Sequence, residues 1–129
     1  MDRYMTLNEY QNRAMDTCMP SCKNYSYMMG NLIAEVGEFA GKVAKAQRKG
    51  NIIFEKDGDF WWNSEKEAVG DKCIELNQEL MKEAGDILWQ LCGLLSVMGW
   101  KAEDIAQMNL DKLASRKQRG VIDGNGDNR

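Results

Sequence analysis

The sequence contains no histidine and a single proline, Pro20. Without imidazole, both the usual general base at neutral pH and the commonest zinc ligand are missing. The four cysteines, Cys18, Cys22, Cys73 and Cys92, form no Cys-x-x-Cys pair. That spacing offers zinc no ligand set and favours reduced thiols at buried or partly buried positions, with a Cys18–Cys22 redox pair as the weaker reading. No serine or cysteine stands beside a recognisable base, so hydrolysis through such a nucleophile has little support. A formal net charge of -3 with no long basic stripe speaks against duplex nucleic acid as a partner. No apolar run approaches the length of a membrane span, and Met1-Asp2-Arg3-Tyr4 contains no apolar signal core. The expectation is a cytoplasmic protein with neither a nucleic-acid nor a membrane partner.

What is present fits one helical domain. The 129 residues are 43% hydrophobic and 29% charged, an ordinary balance for a globular chain with a real core. The long periodic segments lack strand-like alternation, which predicts an all-α protein over residues 1–129. Thr6-Leu7-Asn8-Glu9 fits a capping box and predicts a first helix from about Leu7 to Cys18. A second helix is expected from about Tyr25 to Lys49, stopped by Gly50-Asn51. Asp57-Gly58-Asp59 is a turn signal between Ile52-Ile53-Phe54 and Phe60-Trp61-Trp62, so a short hairpin and an aromatic-rich loop both fit. A third helix begins near Ser64, with Glu67 in the capping-box position, and either runs to Val97 or breaks near Gly70-Asp71. Glu103 and Asp104 open a fourth, acidic at its start as the helix dipole prefers.

The third helix carries Glu83 and Asp86, three apart and therefore on nearly the same face, bordered by Leu80, Ile87 and Leu91. The second helix repeats the pattern with Glu35 and Glu38, flanked by Leu32, Val36 and Phe39. Two antiparallel helices burying these stripes would gather four carboxylates, whose mutual repulsion a hard divalent cation relieves. Solvated surface carboxylates are the plain alternative. On the fourth helix, Asn109, Lys112 and Arg116 lie in one row, with Arg119 a further turn on. Such a row suits phosphate oxygens, although a solvated basic helix end has the same composition. Lys42, Lys45, Arg48 and Lys49 suit the negative end of the second helix, again as a solvated face or as phosphate contacts. The tail from Gly120 to Arg129 is rich in Gly, Asn and Asp and reads as disordered on its own.

Three blocks in order carry a family resemblance. They are Ala34-Glu35-Val36-Gly37-Glu38-Phe39, Lys82-Glu83-Ala84-Gly85-Asp86-Ile87-Leu88-Trp89, and Asn109-Leu110-Asp111-Lys112-Leu113-Ala114-Ser115-Arg116, followed by a glycine-rich ending from Gly120 to Arg129. Together they resemble the MazG-type nucleoside triphosphate pyrophosphohydrolases of the all-α NTP pyrophosphatase superfamily. The resemblance spans roughly residues 25–129, apart from the central segment. It implies a four-to-five-helix bundle, with a core of about 25–119 and a flexible tail of 120–129. It also implies hydrolysis of nucleoside or deoxynucleoside triphosphates between the α- and β-phosphates, giving a monophosphate and pyrophosphate. Mg²⁺ is the implied cofactor, with Mn²⁺ as a substitute. Glu35, Glu38, Glu83 and Asp86 are the implied metal ligands, with Glu38 or Glu83 orienting or deprotonating the attacking water. Asn109, Lys112 and Arg116 are implied near the substrate, and a homodimer or homotetramer is the implied assembly.

Two features depart from the family pattern. Ala34 stands where many members have a further glutamate, and the interval from Glu38 to Glu83 is longer than usual because of residues 52–62. The chemistry agrees with the residues independently of the family, because phosphoanhydride hydrolysis needs charge neutralisation and an in-line water. Two other readings stay open: a helical interaction module without catalysis, and a narrow-specificity enzyme acting on dUTP, dCTP or phosphoribosyl-ATP.

Overall fold

A computed structural model describes residues 3–63 and 69–129. Helix α1, Leu7–Met15, opens with the full capping box: Thr6 Oγ1 accepts from the Glu9 amide and Glu9 Oε2 accepts from the Thr6 amide, both at 3.1 Å. The helix stops short of the expected Cys18. The amides of Thr17 and Cys18 turn back to Ala14 O and Met15 O in a tighter turn. Ala14 O also accepts the Trp89 indole N–H, at 2.9 Å, from another helix. A single 3₁₀ turn, Pro20–Cys22, follows.

Helix α2, Tyr25–Arg48, is capped by the Asn24 side chain, which accepts from the Tyr27 amide at 2.9 Å. Gly50 (φ 74°) ends it, with the Gly50 amide on Gln47 O and the Asn51 amide on Ala46 O. That paired closure needs a left-handed residue, which glycine adopts without penalty. Strands β1, Ile52–Phe54, and β2, Phe60–Trp62, then form an antiparallel hairpin with Ile52 opposite Trp62 and Phe54 opposite Phe60. Of the two readings of this segment, the hairpin is the one formed. The Asn63 amide and Nδ2 continue the hairpin to Asn51 O and Gly50 O, each at 2.9 Å.

Helix α3, Val69–Val97, is continuous through Gly70-Asp71. Its expected start near Ser64 with Glu67 lies outside the described residues. Helix α4, Ala102–Gln118, has no cap from its own preceding residue. Its first amides are taken by α1 instead: Ala102 N–H by Gln11 Oε1 at 2.8 Å, and Glu103 N–H by Asn8 Oδ1 at 3.0 Å.

The largest interface is α2 against α3, and α1 joins α3 to α4. Met28, fully buried, sits against Gly93, with Cys18, Leu80, Cys92 and Leu95 completing the centre. The result is an all-α bundle with one small hairpin, as expected. No helix among the described residues is long and apolar enough to cross a membrane.

The tail does not trail away as its composition implies. Arg129 Nε donates to Val121 O at 3.0 Å, and its guanidinium also reaches Gly126 O and Ile122 O. Arg119 donates to Arg129 O at 2.8 Å. Arginine side chains thus satisfy the carbonyls of a segment that has no secondary structure of its own.

Candidate active site

The facing residues show that α2 and α3 run antiparallel. Glu35 and Glu38 meet Glu83, whereas the later Lys42 meets Glu79 as well as Glu83, each at 3.7 Å. Carboxylate oxygens of Glu35, Glu38 and Glu83 all lie within 4.8 Å of one another. The two helices contribute them because each pair recurs at helical spacing beside the apolar stripe that packs.

The cluster is short of donors. Glu35 Oε1 accepts from Asn31 Nδ2 at a long 3.4 Å, and Glu83 Oε1 has Lys42. Glu35 Oε2 and Glu83 Oε2 are buried with no partner among the described residues. A buried carboxylate oxygen without a donor is costly, and two beside a third carboxylate are costlier. Desolvation above all, then the charges of Glu38, Asp86 and Glu83, push the Glu35 carboxyl above the usual carboxylate range. Protons therefore compete for this site at a higher pH than for an isolated glutamate. Orphaned oxygens, hard donor atoms and mutual repulsion all fit a divalent cation held by carboxylates.

Asp86 stands one turn beyond Glu83, outside the three-carboxylate group, and its charge acts on both Glu35 and Tyr10 of α1. Burial first, then the charges of Cys92 and Asp86, raise the Tyr10 hydroxyl.

The fourth-helix residues are not brought into this group. Helix α4 packs mainly on α1, and none of Asn109, Lys112 and Arg116 lines the cleft beside the carboxylates. Lys112 and Arg116 instead hold Asp127 of the tail, at 3.6 and 2.9 Å. Sequence reasoning missed Asn31 and Tyr10 as neighbours of the site. It also left Lys42 as one lysine of a basic helix end, although its position four residues after Glu38 already put the two on one face.

The profile of the MazG nucleotide pyrophosphohydrolase domain matches residues 23–121. The chain belongs to this family. A curated relative, the gene 37 protein of Mycobacterium phage L5, is 34% identical over 132 residues, covering 97% of this chain and 100% of its own length. No solved structure gives a significant match. Within the MazG domain so matched lie both carboxylate pairs and the Asn109–Arg116 row, while the whole of α1 and the last eight residues, 122–129, lie outside it. MazG membership makes the chain a hydrolase of the nucleotide pyrophosphohydrolase type, and the acidic cluster is of the kind such enzymes use for divalent metal.

Proposed function

We propose that the protein hydrolyses nucleoside or deoxynucleoside triphosphates between the α- and β-phosphates, releasing a monophosphate and pyrophosphate, in the cytoplasm where such pools reside. The observation that carries this reading is the pair of buried, unpartnered oxygens on Glu35 and Glu83 beside Glu38. Glu35, Glu83 and Asp86 would hold Mg²⁺, or Mn²⁺ in its place, with Glu38 as the fourth ligand. Bound there, the ion supplies charge neutralisation on the phosphate oxygens and makes water more acidic.

The chain's own residues do the rest. Glu83, mostly buried and tied to Lys42, is the fixed member. Glu38 is exposed and has room to orient a water in line with the α-phosphorus. Water oxygen attacks phosphorus, the bond to the bridging oxygen breaks, pyrophosphate leaves, and Glu38 accepts the water proton. Lys42, 3.7 Å from Glu83 Oε1, orients that carboxylate. Asn109, Lys112 and Arg116 are assigned to phosphate oxygens.

The position of α4 supports a site completed by a second copy of the chain, in a homodimer or homotetramer. Exposed Ile33, Val36, Met81 and Leu88 on the two metal-bearing helices support the same assembly.

The test is product analysis over a panel of ribo- and deoxynucleoside triphosphates with Mg²⁺ and with EDTA. We expect monophosphate and pyrophosphate from the wild type, and a fall of at least about a hundredfold in Glu38→Gln and Glu83→Gln, the scale of losing a positioned acid–base group. Release of single phosphate would place the cut elsewhere and refute the mechanism. No turnover, with no rise in melting temperature on adding Mg²⁺, would leave a helical interaction module.

A further inference from the structure

The cleft between α2 and α3 continues past the carboxylates. Along α2 one face reads Glu35, Glu38, Lys42, Lys45 and Lys49, spaced three, four, three and four, which is one helical row. Antiparallel α3 faces it with Glu83, Glu79, Glu75 and then Lys72. The cavity, about 530 Å³, is lined by the α2 row from Glu38 to Lys49, by the α3 row and by Asn51 at the foot of α2. One wall therefore changes from acid to base over the roughly 10 Å that separates Glu38 from Lys45 along a helix axis.

Three features separate this from an ordinary solvated helix end. The lysines share a cavity with Glu38 and Glu83, and they come from two different helices. Lys45 and Lys72 make no ion pair among the described residues, whereas Lys42 is held by Glu79 and Glu83. Asn51 is only 8% exposed, yet its Oδ1 is buried without a partner among the described residues. A buried amide acceptor left open in a cavity wall needs a donor from what fills the cavity. Glu75 offsets part of the positive field, so the binding charge rests on Lys45 and Lys72, with Lys49 behind them.

We propose that this basic end is the subsite for the leaving pyrophosphate of the triphosphate. Lys45 and Lys72 pair with the terminal phosphate oxygens. Asn51 Oδ1 accepts from the P–OH that a terminal phosphate carries as the pH approaches its last ionisation near 6. The nucleoside then lies on the opposite side of the carboxylates, toward α1 and Tyr10. The assignment rests on the pyrophosphohydrolase reading and gives the substrate a direction. It also makes the enzyme prefer triphosphates over diphosphates, which would leave the lysines unfilled.

Calorimetry with inorganic pyrophosphate in EDTA tests the subsite apart from metal and turnover. The wild type should bind it. The double variant Lys45→Gln/Lys72→Gln, whose two sites are exposed and whose fold is checked by its melting curve, should bind at least about tenfold more weakly, the scale of one lost charge-assisted hydrogen bond. In turnover with Mg²⁺ the same variant should raise KM for a triphosphate by a similar factor with kcat kept. If triphosphates are hydrolysed but pyrophosphate does not bind, or binding and KM are unchanged in the variant, the subsite is refuted and the hydrolase stands. If the loss follows Lys112→Gln instead, the pyrophosphate belongs to α4. If no triphosphate is hydrolysed but pyrophosphate binding still depends on Lys45 and Lys72, the hydrolase reading falls and the anion site stands.

Discussion

Asp127 places its carboxylate between Arg116 and Lys112, the two cations assigned to phosphate. Arg116 is only 4% exposed, donates also to Asp127 O at 3.3 Å, and has its Nε buried without a partner among the described residues. A phosphate arriving here would replace a carboxylate on the same donors. The hydrogen bond from Arg116, followed by the charge of Lys112, holds the Asp127 carboxyl below the usual carboxylate range. A depressed acid contributes stability that is fully present above its unfolded pKa and is lost as pH falls through the folded one. The tail should therefore stay docked at neutral pH and release only below about pH 4, the ordinary aspartate value. An NMR titration of Asp127 and the Arg116 guanidinium checks this, and a midpoint at or above the ordinary value would refute it. Asp127→Asn should loosen residues 121–129 at neutral pH while leaving the α2–α3 pair intact. The sequence exposed the arginines but not their role. Composition reports the lack of periodicity in the tail, whereas its order depends on side chains reaching carbonyls several residues away.

At the scale of the element, the helices differ in how locally they are specified. The start of α1 was readable because Thr6 and Glu9 satisfy each other within four residues, and the end of α2 because Gly50 supplies its own left-handed turn. The carboxylate rows were readable for the same reason, since helical spacing alone puts Glu35 with Glu38 and Glu83 with Asp86. The opening of α4 was placed to within about a turn, but its cap was not foreseen, because Gln11 and Asn8 come from the other end of the chain. Gln11 is buried and makes three bonds: Nε2 to Ser96 Oγ at 3.0 Å and Trp100 O at 2.8 Å, and Oε1 from the Ala102 amide at 2.8 Å. Gln11→Ala orphans these groups and should cost about 2–4 kcal/mol, from two or more buried polar groups left unpaired. Denaturant unfolding measures it. A loss no larger than that of the exposed control Gln47→Ala would show that water replaces the glutamine.

The whole molecule leaves much apolar surface in water. Ile74, Met81 and Leu88 recur every seven residues down α3 and are 62%, 67% and 42% exposed, and on α2 Ile33 and Val36 are exposed too. Patches of this kind mark interfaces. Met81→Asp should dissociate the proposed homo-oligomer in sedimentation experiments and, if α4 of a second copy completes the site, lower turnover with it. A wild type that sediments as a monomer at micromolar concentration would remove that explanation. Nine methionines in the sequence pointed to adaptable apolar contacts. Their periodicity could not show which faces the chain's own fold leaves uncovered. Asn51 and Tyr10 were likewise beyond the sequence, because their place beside the site follows from how helices pack rather than from spacing along one of them.

The Gln11 junction also bears on the order in which the chain folds. Its bonds join residues 85, 89 and 91 positions apart in a chain of 129. The α2–hairpin–α3 unit needs far smaller loops, and loop closure must be met before distant contacts give anything back. The two chain ends therefore meet late, after the helical hairpin has formed, and come apart early. Stabilisation gained after the transition state governs escape from the native basin rather than arrival in it. The free energy lost in Gln11→Ala accordingly falls on the unfolding rate, with refolding close to that of the wild type.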